Sequence, residues 1–285
     1  MITPFDDLGR INLPVARQLV DFLIDNGIDG LVPAGTTGEG LLLSLEERRQ
    51  LCEAVVEQAA GRVPVLMHTG CITTADTILL TQHAQKAGAD GAAVITPYFY
   101  LLDDLSLFDH YVAVARAVPD FPISIYCFPR NAQNDISLDL FLRLRDAAPN
   151  ILAIKLSSAD FARIQEYVEA SQGNFSPLCG ADGLALAALS IGAPGLVSGN
   201  ANAFPEQFRA LYDSFLSGEI ELARQHQRCI NQIRSILKDG LHPAYFKAVL
   251  SLRSIPAGRV RPPMRELTAE ELAEMEESIL QLGLL

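Results

Sequence analysis

The sequence lacks a cluster of basic residues. Among its 285 residues, 22 Lys and Arg stand against 34 Asp and Glu, so the formal net charge is −12. Because nucleic acids and anionic membranes are bound through a basic surface, this composition argues against both as partners. The sequence also has no apolar run long enough to span a bilayer, and its acidic N-terminus, MITPFDDLGR, lacks the features of a signal peptide. These absences predict a cytoplasmic protein.

Cysteine is scarce, and its spacing argues against two kinds of site. No two of the five cysteines form a C-x-x-C pair, and the five histidines show no H-E-x-x-H spacing. A disulfide scaffold and a zinc site are therefore not expected. We predict reduced thiols that fill space in the interior. The cysteines are Cys52, Cys71, Cys127, Cys179 and Cys229.

A short phrase with two glycines recurs along the chain. It reads NGIDGLVPAG at 26–35, AGADGAAVIT at 87–96 and IGAPGLVSGN at 191–200. In each copy the first glycine suits the position that ends a helix, and the second releases the chain into an apolar run. Each copy therefore marks a helix that leads into a parallel strand.

The same alternation of helix and strand fills the chain between these junctions. Nearly continuous apolar runs are typical of parallel strands that are covered on both faces. We predict such strands at 29–34, 63–68, 91–96, 122–128, 151–156, 175–179 and 194–198. Met1–Pro4 is expected to supply part of an eighth strand. Helical periodicity occupies 14–26, 44–60, 73–87, 104–118, 137–147, 160–171 and 182–191.

This order of elements favours one barrel followed by helices. Strand–helix units without a change of composition fit a (β/α)8 TIM barrel over residues 1–202 better than a doubly wound sheet. After the barrel the strand signals stop, and residues 203–285 are predicted to form a helical extension. Its helices are expected at 204–217, 219–238, 242–253 and 268–281. In such a barrel, functional residues lie in the loops that follow the strands.

The loop after the predicted strand at 29–34 is rich in glycine. It reads Gly35-Thr36-Thr37-Gly38-Glu39-Gly40, in which backbone N–H groups and two hydroxyls can converge on a small anion such as a carboxylate. It is not the G-x-G-x-x-G of dinucleotide sites, and it lacks the Lys-Ser/Thr of a phosphate loop. The alternative is an ordinary glycine-rich turn.

Lysine is rare, and one of the four lies inside a strand. Lys86 and Lys238 are placed at helix ends, and Lys247 lies in a C-terminal helix, where its stem is expected to carry the charge to solvent. Lys155 alone interrupts an apolar strand, in NILAIKLS at 150–157. It is therefore the lysine whose position needs an explanation.

Two explanations for Lys155 remain open on its position alone. Burial disfavours an ammonium group, which favours a neutral amine that can attack a ketone. The alternative is a buried ion pair, with Glu39 or Asp182 as the partner. Tyr126, at the end of the strand before it, is either a packing aromatic or a proton relay.

Five motifs occur in an order and spacing that resemble one family. They are GTTGE at 35–39, TPY at 96–98, Y-x-x-P at 126–129, the strand lysine of IKLSSAD at 154–160, and GAD at 180–182. Together with the C-terminal HPAYFKAVLSLRSIPAGRVRPP at 242–263, they resemble the dihydrodipicolinate synthase / N-acetylneuraminate lyase family of class I pyruvate-dependent aldolases. The resemblance covers essentially the whole chain.

The resemblance implies a mechanism without a cofactor. Lys155 is expected to bind a 2-oxo acid as an imine, Tyr126 to relay protons with Thr36, and the Thr36–Thr37 pair to hold the carboxylate. It also implies a dimer or a tetramer, with the loop around 98–100 at the tight interface. The remaining substrate contacts implied by the resemblance are Gly35, Thr37, Ser157, Asp182, Val197 and Arg130.

Departures from the family pattern bear on the second substrate. Dihydrodipicolinate synthases usually carry an arginine where Asn131 stands, and here it comes one residue early as Arg130. Phe99 replaces their second tyrosine, with Tyr98 or Tyr100 as alternative sources of the hydroxyl. Sialic-acid lyases usually carry Asp-Glu where this chain has Asp182-Gly183, and a serine where it has Gly199. By elimination, we predict an aldolase or dehydratase of 2-keto-3-deoxy sugar acids.

Two alternatives stay open beside that prediction. One is 4-hydroxy-tetrahydrodipicolinate synthase, and the other is a non-catalytic barrel that binds a 2-oxo acid. Two smaller expectations concern side chains near the motifs. Glu39 is expected to anchor the Gly35 loop, and His68 is expected to be a satisfied histidine at the barrel rim.

Overall fold

The computed structural model describes residues 1–240 and 242–285, and these residues pack as two compact units. One unit consists of residues 1–64 together with 198–285, and the other of residues 65–197. The helices of the described residues are, in chain order, α1 Leu13–Asp25, α2 Leu45–Ala59, α3 Thr74–Lys86, α4 Asp104–Arg116, α5 Pro129–Ala132, α6 Leu138–Ala147, α7 Phe161–Ser171, α8 Ala185–Ser190, α9 Pro205–Leu216, α10 Ile220–Ile236, α11 Pro243–Leu252 and α12 Ala269–Gln281. Each predicted helix is present, with ends shifted by at most three residues. The sequence missed only the four-residue helix α5.

A parallel sheet forms the centre of the unit of residues 65–197. Its strands lie side by side in chain order, and the class α/β is thereby confirmed. They are β1 Leu66–His68, β2 Gly91–Ile95, β3 Ile123–Cys127, β4 Ile151–Leu156 and β5 Ser176–Cys179. β2 and β3 are buried along their whole length, which explains why they read as continuous apolar runs.

Three predicted strands are wrong. Residues 194–198 contribute only a single parallel bridge, between Leu196 and Cys179. Residues 29–34 and Met1–Pro4 are also not strands. The amino group of Met1 donates to the carbonyl of Val32 at 2.7 Å, and the N–H of Ile2 donates to the side chain of Asn202 at 2.8 Å. These segments are extended and apolar, but single bonds of this kind do not make a ladder.

The helices begin where polar side chains satisfy their first N–H groups. Thr73, Asp103, Ser137 and Asp160 each accept a hydrogen bond from a backbone N–H in the first turn of α3, α4, α6 and α7. Such residues are visible in the sequence, so the helix starts could be predicted closely. Among the described helices, none combines the length and the apolar character that crossing a bilayer requires.

The unit of residues 1–64 and 198–285 is helical. Side chains on one face of each helix are buried, among them Leu19 of α1, Leu51 of α2 and Phe246 of α11. α9 packs along α10, and α1 packs along α2. At the end of α11, Arg253 binds Glu206 at 2.9 Å and the carbonyl of Ala203 at 2.6 Å, which ties the end of α11 to the start of α9.

Helices α3 and α4 share a buried histidine. The Nδ1 atom of His110 lies 2.9 Å from the hydroxyl of Thr74, and the ring meets Tyr111 edge to face at a centroid distance of 5.1 Å. Burial lowers the pKa of His110 to about 4, because the imidazolium form is poorly solvated there. His110 is therefore neutral in the folded protein at pH values where an exposed histidine is half protonated.

His110 predicts a pH dependence of stability. The unfolded chain takes up a proton near pH 6.5, whereas the folded chain does so only near pH 4, so the free energy of unfolding falls as the pH drops from 6.5 to 4. The loss amounts to at most about 3 kcal/mol. Urea denaturation of the wild type and of His110→Asn across this range measures it. We expect the difference between the two proteins to shrink with falling pH, and a constant difference would contradict the assignment.

Candidate active site

Lys155 and Tyr126 lie side by side on neighbouring strands. In the parallel register of β3 and β4, Tyr126 is the direct partner of Lys155. The Nζ atom of Lys155 lies 4.1 Å from the centroid of the Tyr126 ring. Tyr126 is buried and Lys155 is half-buried. The register of the sheet thus brings a primary amine against the ring of a tyrosine, which is a suitable arrangement for amine and proton chemistry.

The Tyr126 ring is fixed by its neighbours. Phe128 stacks on it at a centroid distance of 6.0 Å, and Ile95 and Ala132 complete the cluster around it. His68 meets the ring edge to face at 6.1 Å. His68 is the last residue of β1, so it lies at the strand end as expected, and it is buried there with only 2% of its surface exposed.

Gly180, directly after β5, gives the Lys155 side chain its space. A Cβ atom on Gly180 would lie 2.8 Å from the Cε atom of Lys155 and would also collide with the hydroxyl of Ser157. Ser157 itself is half-buried, and its N–H donates to the carbonyl of Cys127 at 2.9 Å. Gly180 and Ser157 therefore both border the side chain of Lys155. In the sequence, GAD at 180–182 is only part of a motif, and its pattern indicates no role for the glycine.

Asp182 and Val197 lie at the same end of the sheet as Gly180. Asp182 is buried and opens a short 3₁₀ turn, Asp182–Leu184, and the N–H of Val197 donates to the carbonyl of Cys179 at 2.9 Å. Burial raises the pKa of the Cys179 thiol, the charge of Asp182 adds to this, and the charge of Lys155 opposes it. The described part of this unit thus groups Lys155 with Tyr126, Ser157 and Gly180, with Asp182 and Val197 beside Cys179.

Arg130 lies in the short helix α5, which is separated from β3 by the single residue Phe128. Both Arg130 and Asn131 are exposed. Pro129 starts this helix, and its fixed φ suits a first helical position. The sequence offered no periodic signal for so short an element, because periodicity needs several turns.

Asn134 is a structural residue of the site that the sequence analysis missed. It is buried, and its side-chain amide donates to the carbonyls of Pro97 and Tyr100, each at 2.7 Å. Its side-chain oxygen accepts the N–H of Leu102 at 2.8 Å. Asn134 therefore holds the loop of residues 97–102, in which Phe99 has a left-handed φ of 77°. An asparagine after a strand gives no signal of such distant partners.

The Gly35 loop, residues 35–40, is a closed turn in the other unit. The N–H groups of Gly38 and Gly40 both donate to the carbonyl of Gly35 at 3.1 Å, and that of Glu39 donates to the carbonyl of Thr36 at 3.1 Å. Glu39 has a left-handed backbone, with φ 54°. A Cβ atom at Gly40 would collide with the carbonyl of Ala34, so only glycine fits there.

Thr36 and Thr37 sit at the outer part of the Gly35 loop. Thr36 is exposed and Thr37 is half-buried. Gly199 lies against Thr37, because a Cβ atom on Gly199 would come within 2.6 Å of the Thr37 hydroxyl. A serine at position 199, as in sialic-acid lyases, would require Thr37 to move.

Glu39 anchors the Gly35 loop through contacts of its carboxylate, which is almost fully buried. Its Oε1 atom lies 2.7 Å from Nζ of Lys247 in α11, and its Oε2 atom accepts the N–H of Arg261 at 2.8 Å. The expectation that Lys247 carries its charge to solvent is wrong, since Lys247 is only 2% exposed. Burial lowers the pKa of Lys247, and the neighbouring Glu39 opposes this shift. Glu39 thus forms the buried ion pair considered for Lys155, but with another lysine.

The model of the dihydrodipicolinate synthetase family matches residues 1–282. A 4-hydroxy-tetrahydrodipicolinate synthase of Halalkalibacterium halodurans is 37% identical over 279 residues, which cover 98% of this chain and 94% of that protein. An uncharacterized DapA-like lyase of Halobacterium salinarum is 35% identical and covers 100% of this chain and 93% of its own length.

A solved structure extends the comparison to three dimensions. YagE of E. coli, a prophage protein belonging to the dihydrodipicolinic acid synthase family and crystallised in complex with pyruvate, superposes with a TM-score of 0.95. It is 30% identical, and the match covers 100% of this chain and 97% of that one. The chain belongs to the dihydrodipicolinate synthetase family. This confirms the family predicted from the sequence, and with it the prediction of a lyase of the class I aldolase type.

The space beside Gly180 predicts the effect of one methyl group. Gly180→Ala places a Cβ atom 2.8 Å from Cε of Lys155, so the lysine side chain must shift. We expect the rate at which the amine reacts with a 2-oxo acid to fall about tenfold or more, because reacting groups tolerate little displacement. Borohydride trapping of the imine measures this rate. Gly195→Ala is the control, since its Cβ atom would lie at an ordinary 3.5 Å from Leu178.

The Lys247–Glu39 pair predicts a result for stability. Lys247→Met leaves the Glu39 carboxylate buried without its cation, and we expect it to lower the free energy of unfolding by about 3 kcal/mol. Adding Glu39→Gln removes the uncompensated charge and should restore about 1 kcal/mol. Lys86→Met, at an exposed lysine, is the control. Denaturant titrations measure all four proteins, and a double variant less stable than Lys247→Met would contradict the expectation.

Proposed function

We propose that this protein is a lyase for pyruvate or a related 2-oxo acid, which makes or breaks a carbon–carbon or carbon–oxygen bond through an imine on Lys155. The observation that carries the proposal is the position of the Lys155 amine, 4.1 Å from the Tyr126 ring centroid in the register of two adjacent strands. Membership of the family and the likeness to YagE, which binds pyruvate, support pyruvate as the 2-oxo acid.

The chemistry begins with the amine of Lys155. It adds to the C2 carbonyl of pyruvate, and the resulting carbinolamine loses water to give a protonated imine. The imine withdraws electrons, so a proton leaves C3 and an enamine forms. The enamine carbon attacks the carbonyl carbon of an aldehyde, and water then releases the product and the free amine. In the direction of cleavage the same steps run backwards.

The other residues serve binding and proton transfer. Tyr126, with Thr36, carries protons between the substrate oxygen and the amine during these steps. Gly35, Thr36 and Thr37 hold the carboxylate of the 2-oxo acid through hydroxyl and N–H donors. Ser157, next to the space of Gly180, contacts the hydroxyls of the partner substrate.

The proposed architecture is a (β/α)8 TIM barrel over residues 1–202, with a helical extension over 203–285. The five parallel strands in sequential order, with helices between them, support this arrangement. The bridge of Leu196 to Cys179 supports an additional strand position after β5.

We propose a 2-keto-3-deoxy sugar acid as the compound that is cleaved or dehydrated. Three observations support it: Arg130 precedes the usual arginine position, Phe99 offers no hydroxyl, and Gly183 replaces the second acid of sialic-acid lyases. Gly199 adds to this, because Thr37 occupies the space that a serine there would need. Asp182, Val197 and Arg130 are the proposed contacts to the sugar portion.

The second candidate is 4-hydroxy-tetrahydrodipicolinate synthase. The relative with that name in H. halodurans, 37% identical to this chain, favours it. In that case the aldehyde is aspartate semialdehyde, and exposed Arg130 binds its carboxylate in place of the usual arginine.

Self-association through the loop of residues 97–102 is part of the proposal. Phe99, Tyr100 and Leu101 are 70%, 64% and 81% exposed, and Leu105 nearby is also exposed. Such an apolar patch is typical of a surface that another protein covers. We propose that a second copy of the chain covers it, in a dimer or a tetramer.

Trapping of the imine tests the proposed function. We expect pyruvate followed by borohydride to add one adduct to the wild type, located on Lys155 by peptide mapping, and none to Lys155→Ala. Tyr126→Phe should slow trapping roughly 100-fold, as expected for loss of a general acid–base group. Wild-type protein that is folded yet forms no adduct would overturn the proposal and favour a non-catalytic binding barrel.

The second substrate is identified in a separate assay. Release of pyruvate from 2-keto-3-deoxy sugar acids supports the first candidate. Consumption of pyruvate only in the presence of aspartate semialdehyde supports the synthase. Dehydration without release of pyruvate assigns a dehydratase.

A further inference from the structure

The Gly35 loop has a conformation that does not hold by itself. Glu39 in the loop and Ala34 directly before it are not glycines, yet both have left-handed backbones, with φ of 54° and 57°. A left-handed backbone is unfavourable for residues with a Cβ atom, and it persists where the surroundings fix it. The three hydrogen bonds within the loop close the turn, but they leave its orientation to outside contacts.

Those outside contacts come from two directions. At the start of the chain, the hydroxyl of Thr3 donates to the carbonyl of Gly38 at 2.6 Å. From the C-terminal part, Lys247 and the backbone of Arg261 each bind one oxygen of the Glu39 carboxylate, at 2.7 and 2.8 Å. Both carboxylate oxygens are therefore used, and a buried carboxylate held in this way has little freedom to rotate.

The groups that hold Glu39 are themselves held. Nζ of Lys247 also donates to the carbonyl of Arg259 at 2.6 Å and lies 4.1 Å above the centroid of the Phe5 ring. Lys247 thus joins α11, the segment after it and the N-terminal residues at one point. An ammonium over an aromatic face is attracted by the ring, and more strongly where water is excluded.

The Arg261 side chain fixes the other donor. Its guanidinium binds the carboxylate of Glu47, with Nη1 to Oε2 at 2.8 Å, and donates to the carbonyl of Leu42 at 2.9 Å. It also lies 4.4 Å above the Phe5 ring centroid. This arginine lowers the pKa of Glu47 to about 2, so the pair is charged at neutral pH. The N–H of Arg261 is therefore presented to Glu39 by a charged, partly buried clamp.

We propose that Lys247 and Arg261 are positioning residues of the substrate-binding loop. Through the carboxylate of Glu39 they hold residues 35–40 in the conformation in which Thr36 and Thr37 bind the carboxylate of the 2-oxo acid. This inference rests on the proposed function, because it assigns the loop to that carboxylate. It gives Lys247 and Arg261 a role in substrate binding that acts through Glu39.

The half-saturating concentration of pyruvate for imine trapping tests this inference. Glu39→Gln keeps the shape of the side chain but removes the charge that Lys247 binds. We expect the half-saturating concentration to rise about tenfold, with a similar maximal yield of adduct, because displacement of a carboxylate-binding loop weakens binding. Lys247→Met should act in the same direction, and the double variant should be no worse than the stronger single one, since the pair acts as a unit.

Glu206→Gln is the matched control. It removes the carboxylate that Arg253 binds at 2.9 Å. Arg253 lies at the end of α11, the helix that carries Lys247, and the pair belongs to the same unit but does not contact the Gly35 loop. We expect it to lower the melting temperature while the half-saturating concentration stays within about twofold of the wild type. Loss of stability alone therefore does not reproduce the predicted effect.

The outcomes separate the two proposals. Wild type without an adduct overturns the proposed function, and this inference falls with it. If the wild type forms an adduct, a different result overturns this inference alone. That result is a half-saturating concentration of pyruvate in Glu39→Gln and Lys247→Met that equals the value of the control Glu206→Gln. If neither Glu39→Gln nor Lys247→Met folds, Glu47→Gln tests the inference instead. This variant weakens the contact that holds Arg261 but leaves Glu39 unchanged. A half-saturating concentration equal to that of the control would then overturn the inference.

Discussion

The ion pair between Glu39 and Lys247 is the interaction on which the unit of residues 1–64 and 198–285 depends most. Two charges removed from water cost several kcal/mol each, and only close contact with additional hydrogen bonds offsets this cost. Here one oxygen of Glu39 pairs with the ammonium of Lys247, the other accepts the N–H of Arg261, and Lys247 also donates to the carbonyl of Arg259. The pair therefore fixes one arrangement of α11, the segment 257–261 and the Gly35 loop, since any other arrangement leaves a charge buried without its partner.

A different constraint governs the unit of residues 65–197. Its catalytic candidates are placed by the register of a parallel sheet, and a register cannot shift by one residue without turning every side chain to the other face. Tyr126 and Lys155 are direct partners, as are Lys155 and Leu178 on the other side. The position of the amine thus follows from backbone hydrogen bonds along three strands, which are far stiffer than a loop. Gly180 contributes only by lacking a Cβ atom, which would collide with the Lys155 side chain.

Most helices and the central strands could be predicted from the sequence, because their signals come from neighbouring residues. The N-capping residues, the glycines after helices and the apolar strands at 91–96 and 122–128 depend on nearby residues alone, and the structure has these elements where predicted. The pairing of Lys155 with Tyr126 was accessible too, since consecutive parallel strands lie side by side. The order of the motifs indicated the family, and the comparisons with known proteins confirm it.

What was missed depends on partners distant in sequence. A surface position was expected for Lys247 because a long lysine stem can carry its charge from a helix to solvent, and the carboxylate that binds it lies 208 residues earlier. The strands expected at 1–4 and 194–198 have the right composition, but whether an extended segment pairs depends on a neighbour that composition does not reveal. Asn134 gave no signal for the same reason.

The clamp formed by Asn134 has a consequence for how this protein can change. Its three bonds join two surface segments, residues 97–102 and the connection after β3 that carries Arg130, so neither segment can be lengthened or shortened alone. One segment holds Phe99 and the other Arg130, the two positions at which the sequence departs from the expected synthase pattern. An engineer who grafts loops therefore has to transfer the two segments together, because Asn134 bonds one to the other.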